Sequence, residues 1–481
     1  MPHLVPKSDA LSDAGGGASD FRNRIATADS EGRRRWVYPK RPRGRFYRAR
    51  TWLTWVLLAV MFGGPFIRLN GNPLLMLNIV ERKFSVLGVI FWPQDNLIFA
   101  IGFLLFLTGI AVFTAAFGRL WCGWTCPQTV MMEMVFRKIE YLIEGDAPAQ
   151  KDLDHAPWTA GKLGRKAAKH GVFLALSFII GNTLLAYIIG LDDLRQIVTD
   201  DPRRHLVGLG FMVLFTMLFY GIFARFREQA CTFICPYGRF QSTLLDENSI
   251  VVAYDYKRGE ARGPLRRADT PDQRARRGDG DCIDCLNCVT VCPTGIDIRN
   301  GTQMECVNCT ACIDACDEVM EKIGRPRGLI RFASLNGIEK GERLRVTPRI
   351  LGYCAILSAL GVGLMILLLT RSEVDVNLLR APGALFDQTQ EGHISNLYLL
   401  KLTNKTHQDK LVELKLENIE GSLTVLGGQL ALPAEQQTSA SVLIEIAPEK
   451  LASNVTPLRV DIYSGGKRID RIKTIFISPR K

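Results

Sequence analysis

The last 127 residues of this 481-residue chain contain no cysteine, although the chain has thirteen, all between Cys122 and Cys354. A disulfide-stapled secreted protein would not be built this way, so the cysteines read as reduced, metal-binding thiols. The first fifty residues lack the apolar core of a cleavable signal peptide, and none is expected. There is no C-x-x-C-H haem attachment site, no G-x-G-x-x-G and no Walker loop. With no nicotinamide or nucleotide site, electrons must arrive from a quinol or a partner protein. Acidic residues are scarce where basic ones crowd: Arg22–Arg50 holds eleven Lys/Arg and two acids. Lying just before an apolar run, that excess reads as a positive-inside flank, and the net charge of +12 is not a sign of nucleic-acid binding.

The apolar residues are clumped. Five segments are long enough to cross a bilayer: Thr51–Ile67, Leu97–Phe117, Gly171–Gly190, Leu206–Phe226 and Ile350–Thr370. Lys162, Arg165, Lys166 and Lys169 precede the third, whereas the loop Leu191–His205 carries three Arg against four Asp. The N-terminus, the second loop and the long segment after the fourth span are therefore expected in the cytoplasm, and the C-terminus outside. His170 and His205 then begin spans on opposite faces and cannot share a haem.

Cys282, Cys285, Cys288 and Cys292-Pro293 follow the spacing C-x-x-C-x-x-C-x-x-x-C-P, and Cys306, Cys309, Cys312 and Cys316 repeat it with Asp317 in place of proline. Such spacing wraps three thiolates around one cubane and sends the fourth to its neighbour. One [4Fe–4S] cluster is assigned to Cys282, Cys285, Cys288 and Cys316, the other to Cys306, Cys309, Cys312 and Cys292. Zinc sites, which prefer separated C-x-x-C pairs, are the lesser alternative.

A second constellation is C-x-x-x-C-P, found as Cys122–Cys126-Pro127 after the second span and Cys231–Cys235-Pro236 after the fourth. On a continuous helix both thiols of a pair would share a face, while each proline disfavours helix at the cysteine before it. Thiolates on a reducing side select soft metals, above all Cu(I). Inert packing is the alternative, and duplication at equivalent positions argues against it. Cys354 has no partner in sequence and reads as a packing residue.

From about Ser372 the pattern turns to short strands at Leu397–Leu402, Leu411–Leu416, Ser441–Ile446, Leu458–Tyr463 and Arg468–Ile477. The last two flank a tight hairpin, Ser464-Gly465-Gly466-Lys467. An immunoglobulin-like β-sandwich lacking the inter-sheet disulfide is expected.

Together with Tyr254–Gly263 and Gly324–Arg331, these motifs resemble the cytochrome c oxidase accessory proteins known as CcoG, FixG or RdxA. The resemblance implies a multidomain membrane protein: an α-helical transmembrane bundle of about five spans, a cytoplasmic bacterial-type 2[4Fe–4S] ferredoxin insert and a C-terminal immunoglobulin-like β-sandwich. The expected boundaries are a basic tail at 1–50, four spans at 51–245, the ferredoxin domain at 246–349, a fifth span at 350–370 and a periplasmic domain at 371–481. It also implies a bacterial inner membrane and reduction of Cu(II) to Cu(I) for assembly of a cbb3-type oxidase. Cys122, Cys126, Cys231 and Cys235 would then be the catalytic, copper-binding set. The implied partners are the lipid bilayer, copper ions, a copper transporter or chaperone, and oxidase assembly factors; a second copy of the chain is a further one. A quinol-oxidising polyferredoxin and a non-catalytic scaffold are the competing readings.

Protein purified without air should contain about eight iron and eight sulfide per chain in these two clusters. Cys285→Ala or Cys309→Ala should abolish the paramagnetic signal of its own cluster. Bound zinc without iron would overturn the assignment.

Overall fold

A computed structural model describes residues 26–479 apart from 29–30, 32, 70, 80–82, 267–270, 343–346, 384, 391 and 452. The first 25 residues of the expected basic tail thus lie outside the described residues. The chain forms two compact units: one runs up to Phe66 and from Ile101 to Val362, the other comprises Ile67–Ala100 and Gly363–Lys481.

The principal helices, numbered in chain order, are α1 Arg45–Gly63, α2 Asn96–Phe117, α3 Arg137–Ile143, α4 Ala160–Ile189, α5 Leu206–Gly221, α6 Pro236–Leu244, α7 Ala311–Lys322 and α8 Pro348–Leu369. Among the described residues, four stretches are long and apolar enough to cross a membrane: Pro93–Phe117, Ala160–Ile189, Leu206–Phe226 and Pro348–Leu369. No residue of α8 is buried within the protein, and α2 buries only Thr114 and Ala115. Apolar helices left uncovered on every side have lipid as their solvent. This is a membrane protein.

The expected first span differs from the rest. Its helix starts at Arg45, carries Arg48 and Arg50 in its first turns, and gives way at Gly64 to a 3₁₀ turn. Its apolar part is therefore short, and it is not among the four. Trp52, Trp55, Val56 and Val60 on it are nonetheless exposed. Helix α4 begins eleven residues before the expected Gly171, because the Thr159 side chain accepts a hydrogen bond from Lys162 N at 3.3 Å and caps a polar extension.

In the second unit, strands are numbered separately: β1 Leu75–Asn78, β2 Lys83–Val86, β3 Val89–Phe91, β4 Val374–Arg380, β5 Ile394–Asn404, β6 Lys410–Leu416, β7 Ser422–Leu426, β8 Leu430–Leu432, β9 Gln437–Ile446, β10 Val455–Ser464 and β11 Lys467–Ile477. One sheet has the order β7-β9-β5-β4 and the other β8-β6-β10-β11, all antiparallel. Val374, Tyr398, Leu400, Val442, Ile444 and Leu458 meet in their shared core. The five expected strands all lie within longer ones. At the hairpin, Gly465 and Gly466 take φ of 56° and 79°, the left-handed pair that a two-residue turn matching the strand twist requires. Strands β4, β7 and β8 were not anticipated. Nor was the sheet β1-β2-β3, which lies in a segment read as part of the transmembrane region; strands of three or four residues give too little alternation to register.

Leu400 is fully buried. Leu400→Ala should cost about 3 kcal/mol, seen as faster hydrogen exchange across β5 and β9. Leu411→Ala, at an exposed site, should change exchange there by less than about 0.5 kcal/mol.

Candidate iron–sulfur and thiol centre

The two ferredoxin loops share a backbone device. Asp284 and Leu286 flank Cys285 with φ of 54° and 57°, and Asn308 and Thr310 flank Cys309 with φ of 53° and 66°. Left-handed residues on both sides of one cysteine curl the chain around a centre. Leucine and threonine adopt that geometry only at a cost of about 1–2 kcal/mol each. Asn308 suits it, and its Oδ1 also accepts a hydrogen bond from Val252 N at 3.3 Å.

Helix α7 then carries Cys312 and Cys316 one turn apart. The Cys316 thiol feels Cys288, Cys282 and Cys285, whereas Cys312 feels Cys309, Cys306, Cys292 and more weakly Cys288. Cys292, Cys306, Cys309 and Cys312 line one cavity together with Cys288, Val252 and Ile298. Burial pushes Cys288, Cys306 and Cys316 up to about 12 and Cys309 to about 11. Thiols gathered in so apolar a place stay protonated unless a cation replaces their protons, the donor chemistry an iron–sulfur cluster requires. Among the described residues no three His, Cys, Asp or Glu side chains stand close enough to hold a metal ion as they are, so this is a grouping of neighbours rather than closed coordination.

Asp317, where the first repeat has Pro293, lies in the middle of α7, and a proline there would break the helix. The Asp317 carboxylate accepts from Gly328 N at 2.9 Å and pairs with Arg45 at 3.4 Å. Asp314 accepts from Phe46 N at 3.1 Å and Tyr47 N at 2.8 Å, so α1 is capped by a side chain of the ferredoxin domain.

The C-x-x-x-C-P motifs break where the prolines demand. Cys126 and Cys235 are extended, with ψ of 124° and 109°, and each precedes a new helix; Cys122 lies in the short helix Leu120–Trp124 and Cys231 in the π-helical turn Ala230–Ile234. The four thiols are neighbours nonetheless: Cys231 feels Cys126, Cys122 and Cys235, and burial pushes it up to about 12. Burial also raises Cys122, which Arg119 opposes, and its S–H donates to Gln241 Oε1 at 3.0 Å.

Both constellations lie together. Cys122 packs in one apolar cluster with Cys309, Val291, Val307 and Ala311. A Cβ on Gly123 would stand 2.3 Å from Val307 O, so the first motif rests on the second cluster loop with no side chain between. Arg119, 5% exposed, donates from Nε to Gln241 Oε1 at 3.1 Å and from Nη1 to Met304 O, and its charge reaches Cys122, Cys231 and Cys306. Buried Arg50 donates to Cys309 O at 3.1 Å. None of Arg119, Gln241, Arg50, Asp314 or Gly123 was singled out from sequence. The only hint was position: Arg119 lies beside a motif, and Gly123 and Asp314 lie inside one. Cys354 lies on α8, away from these groups in sequence and half-buried.

Beside the thiols lies a buried ion network. Arg137 pairs with Glu133 at 3.2 Å and Glu228 at 3.6 Å, Arg227 donates to Glu140 at 3.1 Å, Lys169 meets Glu144 at 2.9 Å, and Arg34 meets Glu228 at 3.0 Å. Burial raises Glu133; burial acts likewise on Glu140, but Arg227, Lys169 and Arg137 outweigh it and hold that carboxyl below its ordinary value.

A family of 4Fe–4S dicluster domains matches residues 226–335, and a 4Fe–4S binding domain family matches 99–145, where the only cysteines are Cys122 and Cys126. The IG-like fold at the C-terminus of FixG matches 364–479. Over 469 residues the chain is 33% identical to the nitrogen fixation protein FixG of Rhizobium meliloti, covering 89% of this chain and 86% of that one. The chain belongs to the FixG/RdxA family. Protein RdxA of Cereibacter sphaeroides is 34% identical over 453 residues (89% of this chain, 94% of that one), and RdxB of the same organism 35% over 399 residues (79% and 81%). This FixG/RdxA protein is an iron–sulfur electron-transfer protein of the membrane.

Asn308→Val should destabilise the ferredoxin domain by about 2 kcal/mol, through the left-handed cost and the lost hydrogen bond, in urea unfolding followed by cluster absorbance. Asn308→Gly should cost less. Equal losses would mean that the asparagine does not serve the backbone conformation.

Proposed function

We propose that this protein reduces Cu(II) to Cu(I) at the four thiols Cys122, Cys126, Cys231 and Cys235, for assembly of a cbb3-type cytochrome c oxidase. The observation that carries the reading is that both C-x-x-x-C-P pairs come together against the loop of Cys306 and Cys309. Two [4Fe–4S] clusters, one on Cys282, Cys285, Cys288 and Cys316 and the other on Cys306, Cys309, Cys312 and Cys292, would each supply one electron at a time. The chain's own residues do the rest. The thiols lose protons on binding copper, and sulfur stabilises the larger, softer Cu(I) over Cu(II). Arg119 favours the thiolate form of Cys122, and Gln241 Oε1 orients the thiol until its proton leaves. One electron turns one Cu(II) into Cu(I); the donor, a quinol or a reduced protein, replaces it. A copper transporter or chaperone would take the product.

The sidedness proposed is that of a bacterial inner membrane, with the ferredoxin domain cytoplasmic and the C-terminal domain periplasmic. A reporter active only outside the cytoplasm should work when fused at the C-terminus and stay silent at Arg274; the reverse would invert the map.

A second reading has one specific observation behind it: a 4Fe–4S binding family covers Cys122 and Cys126. The four thiols would then hold a third cluster and make the protein a quinol-oxidising polyferredoxin. Iron content separates the readings, about eight per chain for copper and about twelve for a third cluster.

Cys122→Ser with Cys126→Ser, or Cys231→Ser with Cys235→Ser, should weaken Cu(I) binding and slow Cu(II) reduction about tenfold or more, with iron unchanged. Loss of about four irons would select the third cluster. Gly123→Ala should slow reoxidation of the reduced clusters by Cu(II) and leave Cu(I) affinity nearly unchanged, because it displaces the thiol loop from Val307 and spares the thiols.

A further inference from the structure

The small sheet β1-β2-β3 has two unlike faces. Register puts Leu75 opposite Val86 and Val86 opposite Val89, and Leu77 opposite Phe84 and Phe84 opposite Phe91. Directly paired residues share a face, so these six make up one side without a charge or a hydroxyl. Leu75, Leu77, Val86 and Val89 are 36–44% exposed. The other side carries Met76, Asn78, Lys83, Ser85 and Ile90, of which Asn78, Ser85 and Ile90 are buried. That inner side is bound to its own unit: Ser85 Oγ donates to Pro73 O at 2.6 Å, and Arg371 donates to Ile90 O at 2.6 Å. Arg371 and Lys405 also hold the Asp95 carboxylate at 2.8 and 2.7 Å. The sheet therefore cannot turn its apolar side inward.

We infer that this apolar face is a lipid-binding anchor, lying in the bilayer interface on the side of the second unit. Three observations choose lipid as the occupant. The Phe84 and Phe91 rings both meet Phe99, in the first turn of α2, edge-to-face at 5.2 and 5.8 Å. The face thus runs without a break into a membrane helix whose Leu97 and Phe103 are themselves exposed. The level is set as well. Asp95 stands one residue before α2, and Arg371, which it binds, stands two residues after α8, so the sheet lies where two apolar helices end. Finally, Arg371 lies over the Phe91 ring at 4.5 Å, a cation at the rim of the apolar face as the headgroup region favours. The outer edges of β1 and β3 leave backbone groups unpaired by the sheet, which hydrocarbon would not tolerate but the hydrated headgroup layer does. The face is therefore interfacial, not a span.

The test uses the full chain in vesicles of phosphatidylethanolamine and phosphatidylglycerol, with benzoylphenylalanine placed in turn at Leu77, Val86 and the exposed control site Leu411. After illumination, mass spectrometry should find phospholipid adducts at positions 77 and 86 in several times the yield at 411. Lipid yields no higher than at 411 would overturn the inference, and so would crosslinks joining positions 77 or 86 to a second copy of the chain. Because each label replaces an exposed side chain and the readout is a mass, neither folding nor copper chemistry decides the result.

Discussion

Gly123 has no room for a methyl group: a Cβ would stand 2.3 Å from the carbonyl oxygen of Val307. Two segments from distant parts of the chain are pressed backbone to backbone there, and the rest of the first unit is arranged to keep them so. Arg119 reaches from the end of α2 to Gln241 on α6 and to the Met304 carbonyl, tying both C-x-x-x-C-P regions to the second ferredoxin loop. Arg50 on α1 takes the Cys309 carbonyl, and Asp314 caps the start of α1. Each contact is a hydrogen bond from or to a charged group, stronger than its neutral counterpart and costly to leave unmade once buried. Electron transfer needs closeness, and backbone-on-backbone contact is as close as two loops can come.

The ion network around Arg137 and Glu140 serves the same end by another route. Paired charges in an interior add little net stability compared with a well-packed apolar cluster, but removing one partner leaves the other stranded. Such a network fixes partners and register. Here it joins Arg34 of the N-terminal segment, α3, the start of α4 and the Arg227–Glu228 turn ahead of Cys231. The lysines and arginines that read as a positive flank are therefore not merely solvated: Arg34, Arg45 and Arg50 all have named partners. A charge count along the sequence is silent on this, because topology and pairing draw on the same residues.

How much of the architecture could be read beforehand depended on whether the signal was local. The cysteine spacings were, and so were the prolines after Cys126 and Cys235, which end one helix and begin another where the backbone rules require. The Gly465-Gly466 turn fixed its hairpin for the same reason. The helices α2, α5 and α8 were found within a few residues because they are apolar on every face. α1 differs from the others, since its arginines shorten the apolar part. Strands β1–β3 escaped because three residues carry no period. Arg119, Gln241 and Asp314 were not singled out, because one arginine among many gains its role only when folding brings a distant carbonyl to it.

The choice between copper and a third cluster at the four thiols can be pressed further by counting charge. Cu(I) held by two thiolates leaves one net negative charge, and the remaining two cysteines can stay protonated. Burial favours that state, holding Cys231 up at about 12. A four-iron cubane in its usual oxidised form, held by four thiolates, leaves two negative charges and no protonated sulfur. The cation whose charge reaches both Cys122 and Cys231 is Arg119, and it is shared with Cys306. One guanidinium would match the single charge of the copper site and half that of a cluster site, and the cubane proposed at Cys306 carries the same two charges beside the same arginine. In the proposed copper reading, Arg119 would be the counter-ion of a singly charged copper thiolate.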